Sequence, residues 1–383
     1  MRTISVLGAT GSIGASTLDL IRRDREQWRV VALTANGNAA DLARLAREFS
    51  AEIAVVADES ALPALRDALA GSGIAAAGGE AALVEAASRD VDVTLAAIVG
   101  CAGLAPTMAA IEQGRTVALA NKEALVSAGD VMLAAVARSG ATLLPVDSEH
   151  NAIFQCLAGN DPADVRWITL TASGGPFRDW SAEQLAAATP AQAVKHPNWD
   201  MGAKISVDSA TMFNKGLELI EAWHLFPVGL ERLRIIVHPQ SVVHSMVEYR
   251  DGSTLAQLGP SDMRVPIASA LAWPRRMDTP CAPLDLAAIG ELTFRAPDEQ
   301  RFPATRLARQ AAEAGGAAPA VLNAANEVAV AAFLAGQVGF TRIAAMVEDV
   351  LSRYRPPAPA TLADVMAIDA EARVQSRALL ELA

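Results

Sequence analysis

The sequence is poor in cysteine, in basic residues and in long apolar runs, and each scarcity excludes a class of protein. Three cysteines in 383 residues are too few for a disulfide-stabilised scaffold. The 32 basic residues are outnumbered by 43 acidic ones, and the formal charge of −11 argues against a surface that binds nucleic acid. One uncharged run, Val93–Ile111, has the 19 residues of a membrane span, but Gly100, Gly103 and Pro106 interrupt it and it begins like a buried strand. With 52% hydrophobic residues, the chain is expected to fold into two or three domains away from the membrane.

Lysine is scarcer than any other charged residue. Of the 32 lysines and arginines only four are lysines, and all of them lie in the middle of the chain: Lys122, Lys195, Lys204 and Lys215. A codon bias toward arginine explains the general scarcity. The lysines that remain indicate positions where a compact ammonium is needed, because the planar guanidinium of arginine does not replace it. The segment MRTISVLGATG leads straight into a strand pattern without a signal-peptide pattern, and we therefore expect a cytoplasmic protein.

The pattern of the chain changes near residue 150. Before it, short β-branched runs alternate with helical segments, which predicts an N-terminal Rossmann-like, doubly wound parallel sheet within an α/β fold. After it, strands such as RWITLTAS and RLRIIVH indicate a mixed or antiparallel sheet, and the chain from Ala304 onward is helical. We predict a Rossmann-like domain at 1–148, a central α+β catalytic domain at 149–285, a linker at 286–303 and a C-terminal helical domain at 304–383.

A glycine-rich segment between the first strand and the first helix is typical of a nucleotide-binding loop. VLGATGSIGAS carries Gly8, Gly11 and Gly14, and the following helix would offer free N–H groups to a pyrophosphate. The alternative is a tight turn that binds nothing. An acidic residue after the second strand would bind the ribose of NAD, but Ala35–Asn38 contains none. The absence of a carboxylate there favours NADP.

Two acidic residues follow the strand in LLPVDSEHN. In an extended chain Asp147 and Glu149 would point the same way, at the strand end where ligands of such sheets bind. In KISVDSATMFNKGLE, a helix that begins near Thr211 would place Asn214 and Glu218 four residues apart on one face, with Lys215 beside them.

Three carboxylates without clustered histidine or cysteine suit Mg²⁺ or Mn²⁺ better than Zn²⁺. The alternative is a helix cap with surface ion pairs. Other polar residues lie where ligands could bind: Ser173 in the turn TASGGPFR, and Asn121, Lys122 and Glu123 after a strand. The segment KHPNWDMG lies within a predicted flap near 195–204. Its tryptophan and methionine would either pack as hydrophobic anchors of the loop or close over a substrate.

Several of these segments occur together in one known family. GATGSIG, ALANKEAL, PVDSEH, TASGGPFR, KHPNWDMG, KISVDSATMFNKGLE and VLNAANEVAVAAFL resemble, in the same order, the segments of the 1-deoxy-D-xylulose 5-phosphate reductoisomerase family. The resemblance runs from residue 3 to the C-terminal helices. It implies a homodimeric enzyme that uses NADPH and Mn²⁺ or Mg²⁺ to convert that phosphorylated sugar to 2-C-methyl-D-erythritol 4-phosphate, a precursor of isoprenoids.

The resemblance also implies residue roles. It assigns metal ligation to Asp147, Glu149 and Glu218. It assigns NADPH contacts to Thr10, Gly11, Ser12, Ile13, Asn36, Gly37, Asn38, Asn121, Glu123 and Gly202. It assigns substrate contacts to Lys122, Ser148, Glu149, Ser173, His196, Ser209, Asn214, Lys215 and Glu218, with Ser173, Ser209, Asn214 and Lys215 on the phosphate. Trp199 would lie on the flap over the substrate, and Lys122 and His196 would join the metal ligands in catalysis.

The chain departs from the family at two positions. Family members often carry a basic residue where this chain has Gly37, and methionine is common at the position of Phe213. Two other functions remain as alternatives. A semialdehyde dehydrogenase would need a nucleophilic cysteine, and Cys156 lies in the apolar stretch NAIFQCLAG without a matching motif. A nucleotide-sensing protein without catalysis would not need the three carboxylates.

Overall fold

The structure is a computed structural model that describes residues 1–199 and 201–381. Its described part divides into two compact units. The first unit comprises Met1–Ala124, Met132–Asn151 and Met263–Cys281, and the second contains the remainder. The predicted domain boundaries remain predictions.

The first unit is built on a seven-stranded parallel sheet. Its strands are β1 (Arg2–Leu7), β2 (Trp28–Ala35), β3 (Ile53–Val56), β4 (Ala75–Gly78), β5 (Val93–Ala96), β6 (Thr116–Leu119) and β7 (Thr142–Pro145). They lie in the order β4-β3-β2-β1-β5-β6-β7, and every neighbouring pair is parallel. Six strands fall on the predicted apolar runs, and the predicted fold class is confirmed. The sequence pattern missed β4 because AAAG has neither β-branched nor aromatic residues.

Helices connect these strands, as parallel neighbours require. They are α1 (Ser12–Arg23), α2 (Ala39–Phe49), α3 (Leu62–Leu69), α4 (Glu80–Ala87) and α5 (Leu104–Glu112), while α6 (Lys122–Ser139) and α7 (Ser148–Leu157) begin in this unit. Side-chain caps fix two of the helix starts. Asn38 accepts a hydrogen bond from the Asp41 N–H at α2, and Asn121 accepts one from the Ala124 N–H at α6.

The second unit contains a four-stranded mixed sheet. Its strands are β8 (Val165–Ala172), β9 (Leu233–Val237), β10 (Val243–Tyr249) and β11 (Thr254–Leu258), in the order β11-β10-β8-β9. β8 and β9 are parallel, whereas β10 is antiparallel to both of its neighbours. The sheet is therefore mixed, one of the two forms that the sequence predicted.

Most of the remaining helices belong to the second unit. In chain order they are α8 (Ala182–Ala186), α9 (Pro190–Ala193), α10 (Ala203–Thr211), α11 (Phe213–Leu225), α12 (Arg264–Ala272, in the first unit), α13 (Leu286–Ile289), α14 (Ala304–Ala314), α15 (Ala318–Leu334), α16 (Phe340–Arg353) and α17 (Leu362–Ala378). The largest hydrophobic core of this unit includes side chains from α11, α14, α15 and α16. The prolines of RPPAPA separate α16 from α17.

None of the helices in the described ranges combines the length and the hydrophobicity that crossing a lipid bilayer requires. α15 is the most apolar long helix of the second unit, and 13 of its 17 residues are buried. Because α14, α16 and α17 pack against α15, its all-round hydrophobicity is explained by a position inside the protein.

Candidate active site

The glycine-rich loop after β1 lies where the strand order of the first sheet reverses. β1 pairs with β2 on one side and with β5 on the other, and the crevice at the carboxyl ends of such strands is where dinucleotides bind. Gly8 follows β1 with a φ of +89°, and a Cβ at this position would lie 2.7 Å from the carbonyl oxygen of Ala97, just beyond β5. Only glycine fits this backbone.

The same loop brings the start of α1 close to the sheet. A Cβ on Gly14 would lie 2.3 Å from the carbonyl oxygen of Gly8, so α1 packs directly on the loop backbone. Gly11 precedes α1 and has no side chain to cap the first N–H groups of the helix. These N–H groups are suited to bind a pyrophosphate. The other predicted contacts of the loop are at least partly exposed: Thr10, Ser12 and Ile13.

The loop after β2 has a carboxylate nearby that the sequence pattern did not reveal. Asn36, Gly37 and Asn38 are exposed, and Asn38 caps α2. Asp58 follows β3, and its Oδ2 lies 3.5 Å from the position that a Cβ of Gly37 would occupy. The loop 35–38 itself has no carboxylate, as the sequence showed. Asp58 comes from the next strand, because the carboxyl ends of neighbouring parallel strands share one edge.

The start of α6 holds three of the predicted residues after β6. Besides capping the helix, Asn121 donates from Nδ2 to the carbonyl oxygen of Gly100 at 2.9 Å. Lys122 Nζ donates to Asp147 Oδ2 at 2.7 Å, and the two side chains are only 8% and 12% exposed. Glu123 is buried in the first turn, where the helix dipole favours an acidic residue.

Asp147 is the centre of a polar cluster at the carboxyl end of β7. Besides Lys122, it accepts a hydrogen bond from the Glu149 N–H at 3.2 Å, and His150 Nδ1 lies 3.1 Å from its Oδ1. Ser148 Oγ donates to Glu149 Oε2 at 2.6 Å. As expected, the carboxylates of Asp147 and Glu149 converge, with oxygens within 4.8 Å of each other. The extended conformation expected for them is wrong, since β7 ends at Pro145 and Glu149 lies in the first turn of α7. Their carboxylate oxygens are the donor type that hard divalent cations prefer.

In the second unit, Ser173 and His196 are joined by a hydrogen bond. Ser173 Oγ lies 2.9 Å from His196 Nε2, although the residues are 23 positions apart. His196 Nδ1 accepts from the backbone N–H groups of Asn198 and Trp199 at 3.2 and 3.0 Å. Because Nδ1 is an acceptor, the hydrogen-bond network assigns the proton of the neutral imidazole to Nε2, which donates to Ser173.

The predicted polar face of α11 is confirmed. Lys215 Nζ and Asn214 Nδ2 both donate to Glu218, which is completely buried. The helix begins at Phe213, two residues after the predicted start, because Met212 adopts a left-handed conformation with a φ of +67° between α10 and α11.

Ser209 lies in the last turn of α10, close to the loop that carries Ser173. A Cβ on Gly175 would lie 2.6 Å from the carbonyl oxygen of Ser209. α10 also packs against α11, which carries Asn214 and Lys215, so the predicted phosphate ligands lie on elements that contact one another.

In the described part of the predicted flap, Asn198 and Trp199 contact the chain at 239–244. Asn198 Nδ2 donates to the carbonyl oxygen of Pro239 at 2.6 Å, and the Trp199 ring lies 6.1 Å from the ring of His244. Gly202 immediately precedes α10. Asp200, which the sequence also places in the flap, lies outside the described residues.

Sequence reasoning found no role for Lys204, and the structure gives it a buried partner. Its Nζ lies 2.8 Å from Asp208 Oδ2, and Asp208 Oδ1 accepts from Asn326 Nδ2 at 2.8 Å. Asp208 and Asn326 are buried. Lys122, Lys204 and Lys215 thus each pair with a largely buried carboxylate. The sequence analysis placed the helix start after both residues and so predicted neither the Lys204–Asp208 pair on α10 nor its contact with Asn326 on α15.

Cys156 is unsuited to act as a nucleophile. It is buried in α7, and burial raises the pKa of its thiol to about 11. At neutral pH the thiolate that a semialdehyde dehydrogenase mechanism needs is scarce.

The fold and these clusters define a dinucleotide-binding α/β protein with carboxylate, lysine and serine side chains gathered at its strand and helix ends. Three family models match the chain: 1-deoxy-D-xylulose 5-phosphate reductoisomerase over residues 4–129, its C-terminal domain over 143–226, and the DXP reductoisomerase C-terminal domain over 258–375. The chain belongs to the 1-deoxy-D-xylulose 5-phosphate reductoisomerase family.

Relatives of known name match over nearly the whole length. The 1-deoxy-D-xylulose 5-phosphate reductoisomerase of Zymomonas mobilis is 60% identical over 380 residues, which cover 99% of this chain and 98% of that protein. The enzyme of the same name from Rhodospirillum centenum is 58% identical over 97% of this chain and 93% of its own.

Solved structures agree with this assignment. The Zymomonas mobilis reductoisomerase in complex with NADPH superposes with a TM-score of 0.95 at 59% identity, covering 99% of both chains. A DOX-P reductoisomerase in complex with NADPH, fosmidomycin and magnesium has a TM-score of 0.94 at 44% identity, covering 100% of this chain and 99% of that one.

Proposed function

We infer that the protein is an NADPH- and magnesium-dependent reductoisomerase. It rearranges the carbon skeleton of 1-deoxy-D-xylulose 5-phosphate and reduces the resulting aldehyde to 2-C-methyl-D-erythritol 4-phosphate. The observation that carries this inference is the 60% identity, over 99% of the chain, to a protein of that name. Manganese is the alternative ion.

The first unit would bind the cofactor. The α1 N-terminus and the Gly8–Gly11 backbone fit a pyrophosphate, which helix N–H groups stabilise. Asn36, Gly37, Asn38, Asn121, Glu123 and Gly202 would supply the remaining contacts. NADPH supplies the hydride for the reduction step.

Asp147, Glu149 and Glu218 would hold the metal. All three would bind it through carboxylate oxygens. Two of these carboxylates form ion pairs with lysines: Asp147 with Lys122, and Glu218 with Lys215. These side chains would supply the hard oxygen ligands that Mg²⁺ and Mn²⁺ prefer. When bound, a divalent cation stabilises the negative charge that develops on the substrate oxygens.

The substrate phosphate would be bound by Ser173, Ser209, Asn214 and Lys215. Its affinity would come from the Lys215 ammonium and from the hydroxyl and amide donors, because charge-assisted hydrogen bonds to phosphate are strong. An anchored phosphate also keeps the reacting fragments in place during the rearrangement.

The remaining side chains would orient the substrate and exclude water. Lys122 presents an ammonium held by Asp147 and would donate to a substrate oxygen. His196, whose Nε2 donates to Ser173, would contact the substrate beside that hydroxyl. Ser148 would contact the substrate beside Glu149. Trp199 on the flap would cover the bound substrate and keep water from the hydride-accepting carbon.

The protein is expected to act in the cytoplasm as a homodimer on a small phosphorylated sugar, without nucleic acid or membrane as partner. Its net charge of −11 argues against nucleic acid as a partner. β11 is an edge strand with Leu255 44% exposed, and an open edge of this kind is suited to pair with a second copy.

Product analysis tests the proposed function. The purified enzyme is incubated with 1-deoxy-D-xylulose 5-phosphate, NADPH and Mg²⁺, and the product is examined by carbon NMR. A branched methyl carbon on a tetrol phosphate is expected, whereas an unbranched alcohol would indicate a simple dehydrogenase.

A further inference from the structure

The last turn of α10 connects the predicted phosphate ligands. It carries Ser209, whose carbonyl oxygen accepts a hydrogen bond from the Met212 N–H at 3.2 Å. Met212 leads directly into α11, which carries two of the other ligands. A Cβ on Gly175 would lie 2.6 Å from the same carbonyl oxygen, so the turn that follows Ser173 packs on this backbone. The position of the last turn of α10 therefore determines where these ligands stand.

Asp208, next to Ser209, fixes this turn through a buried carboxylate. Its side chain is only 2% exposed. Its Oδ1 accepts a hydrogen bond from Asn326 Nδ2 at 2.8 Å, and its Oδ2 lies 2.8 Å from Lys204 Nζ. Lys204 belongs to α10 itself, whereas Asn326 comes from the middle of α15. Of the two partners, Asn326 is therefore the one that ties the last turn of α10 to a second helix.

Stability alone does not explain an amide at position 326. Asn326 is completely buried in a largely apolar helix. Its Nδ2 donates to Asp208, but within the described ranges no donor reaches its Oδ1. A buried polar atom without a partner lowers stability, and residues that break the packing rules in this way are typical of functional positions.

Loss of the Asn326 amide would act on the phosphate site through Asp208. The carboxylate would keep Lys204 but lose its other donor, and a buried carboxylate with too few donors is unfavourable. The last turn of α10 would then shift toward water, and Ser209 would move with it because the two residues are adjacent. A displacement of about 1 Å is enough to weaken a positioned contact severely.

We propose that Asn326 is a positioning residue of the phosphate site. It acts through Asp208, which holds the last turn of α10 so that the Ser209 hydroxyl and the ligands on α11 converge on the substrate phosphate. Asn326 itself does not contact the substrate. This inference deepens the proposed function, on which it rests, by extending the phosphate site to a helix whose sequence segment had no assigned role.

Asn326→Leu tests the proposal, because leucine has a similar volume and no donor. Asn323→Leu is the matched control. Asn323 is also completely buried on α15, one turn earlier, and within the described ranges no donor reaches its Oδ1 either. Its Nδ2 donates to Ser127 Oγ at 3.3 Å and to Glu327 Oε1 at 3.2 Å. Both substitutions remove one buried amide from the same helix, but of the two residues only Asn326 donates to Asp208.

The measurement is the Kd of inorganic phosphate for the ligand-free enzyme, from phosphorus NMR titrations, with thermal unfolding as the check of folding. Asn326→Leu should raise this Kd about tenfold. The KM for 1-deoxy-D-xylulose 5-phosphate should rise by a similar factor, because a binding contact is weakened. Asn323→Leu should change neither value, although its Tm falls by a similar amount. If Asn326→Leu does not fold, Asn326→Ala removes the same donor with less bulk and takes its place.

An unchanged phosphate Kd in the folded Asn326 variant would overturn the proposal. So would an equal rise in Asn323→Leu, because the effect would then be a general consequence of losing a buried amide. If the wild type did not convert 1-deoxy-D-xylulose 5-phosphate, the proposed function would fail, while the phosphate Kd would still decide the role of Asn326.

Discussion

Replacing Gly14 by alanine tests the geometry of the nucleotide loop. A Cβ there would lie 2.3 Å from the carbonyl oxygen of Gly8 and 2.6 Å from the Cα of Ala9, and neither backbone atom can move without distorting the loop. Overpacking of this kind costs ~1–3 kcal/mol. Alanine recovers up to ~1 kcal/mol in a helix. We therefore expect a net loss of ~1–2 kcal/mol in the free energy of unfolding.

Gly11→Ala provides the control, because its Cβ would face the same oxygen of Gly8 at 3.4 Å, an ordinary contact. Thermal unfolding of the ligand-free proteins is the assay. At ~2–4 °C per kcal/mol, Gly14→Ala should unfold several degrees below the wild type, and Gly11→Ala close to it. Gly11→Ala should instead weaken NADPH binding, since Gly11 is a predicted contact. A Gly14→Ala protein as stable as the wild type would refute the reasoning.

Two further predictions concern the polar clusters, and a third concerns a buried histidine. Asp147→Asn should lower kcat at least ~100-fold and abolish the response to Mg²⁺ while the Kd of NADPH stays unchanged, and a normal metal response would contradict its role as a ligand. Lys215→Ala should raise the KM for the phosphorylated substrate by ~10-fold or more, whereas an unchanged KM would show that Lys215 does not bind the phosphate. His224 is buried, which lowers its pKa, so the unfolded chain takes up a proton first as the pH falls below about 6.5. Denaturant unfolding should therefore show stability lost as the pH falls below about 6.5, and a smaller loss in His224→Gln; equal losses would contradict this explanation.

Local patterns predicted much of the fold. The runs of β-branched residues predicted six strands of the first sheet, because a parallel sheet covered by helices requires continuous apolar strands. The spacing of Asn214, Lys215 and Glu218 predicted their contacts, since residues three and four apart meet on a helix. Both features could be predicted because they are determined by residues close together in the sequence.

The features that were missed depend on distant residues or on the exact end of an element. Asp58 reaches the β2 loop from another strand, and Asn326 reaches Asp208 from a helix 118 residues away. Glu149 was expected in an extended chain, but Asp147 accepts its N–H and α7 starts at Ser148. The periodicity of hydrophobic residues shows which face of a helix or strand is buried. It does not show which distant residue contacts that face or at which residue an element ends.

The central claim is that this chain catalyses a metal-dependent rearrangement before it reduces its substrate. The most direct test follows the loss of NADPH absorbance with 1-deoxy-D-xylulose 5-phosphate, using enzyme stripped of metal by a chelator and then resupplied with Mg²⁺. The account predicts no oxidation in the stripped enzyme and full recovery with Mg²⁺. Equal rates of NADPH oxidation with and without the metal would contradict it.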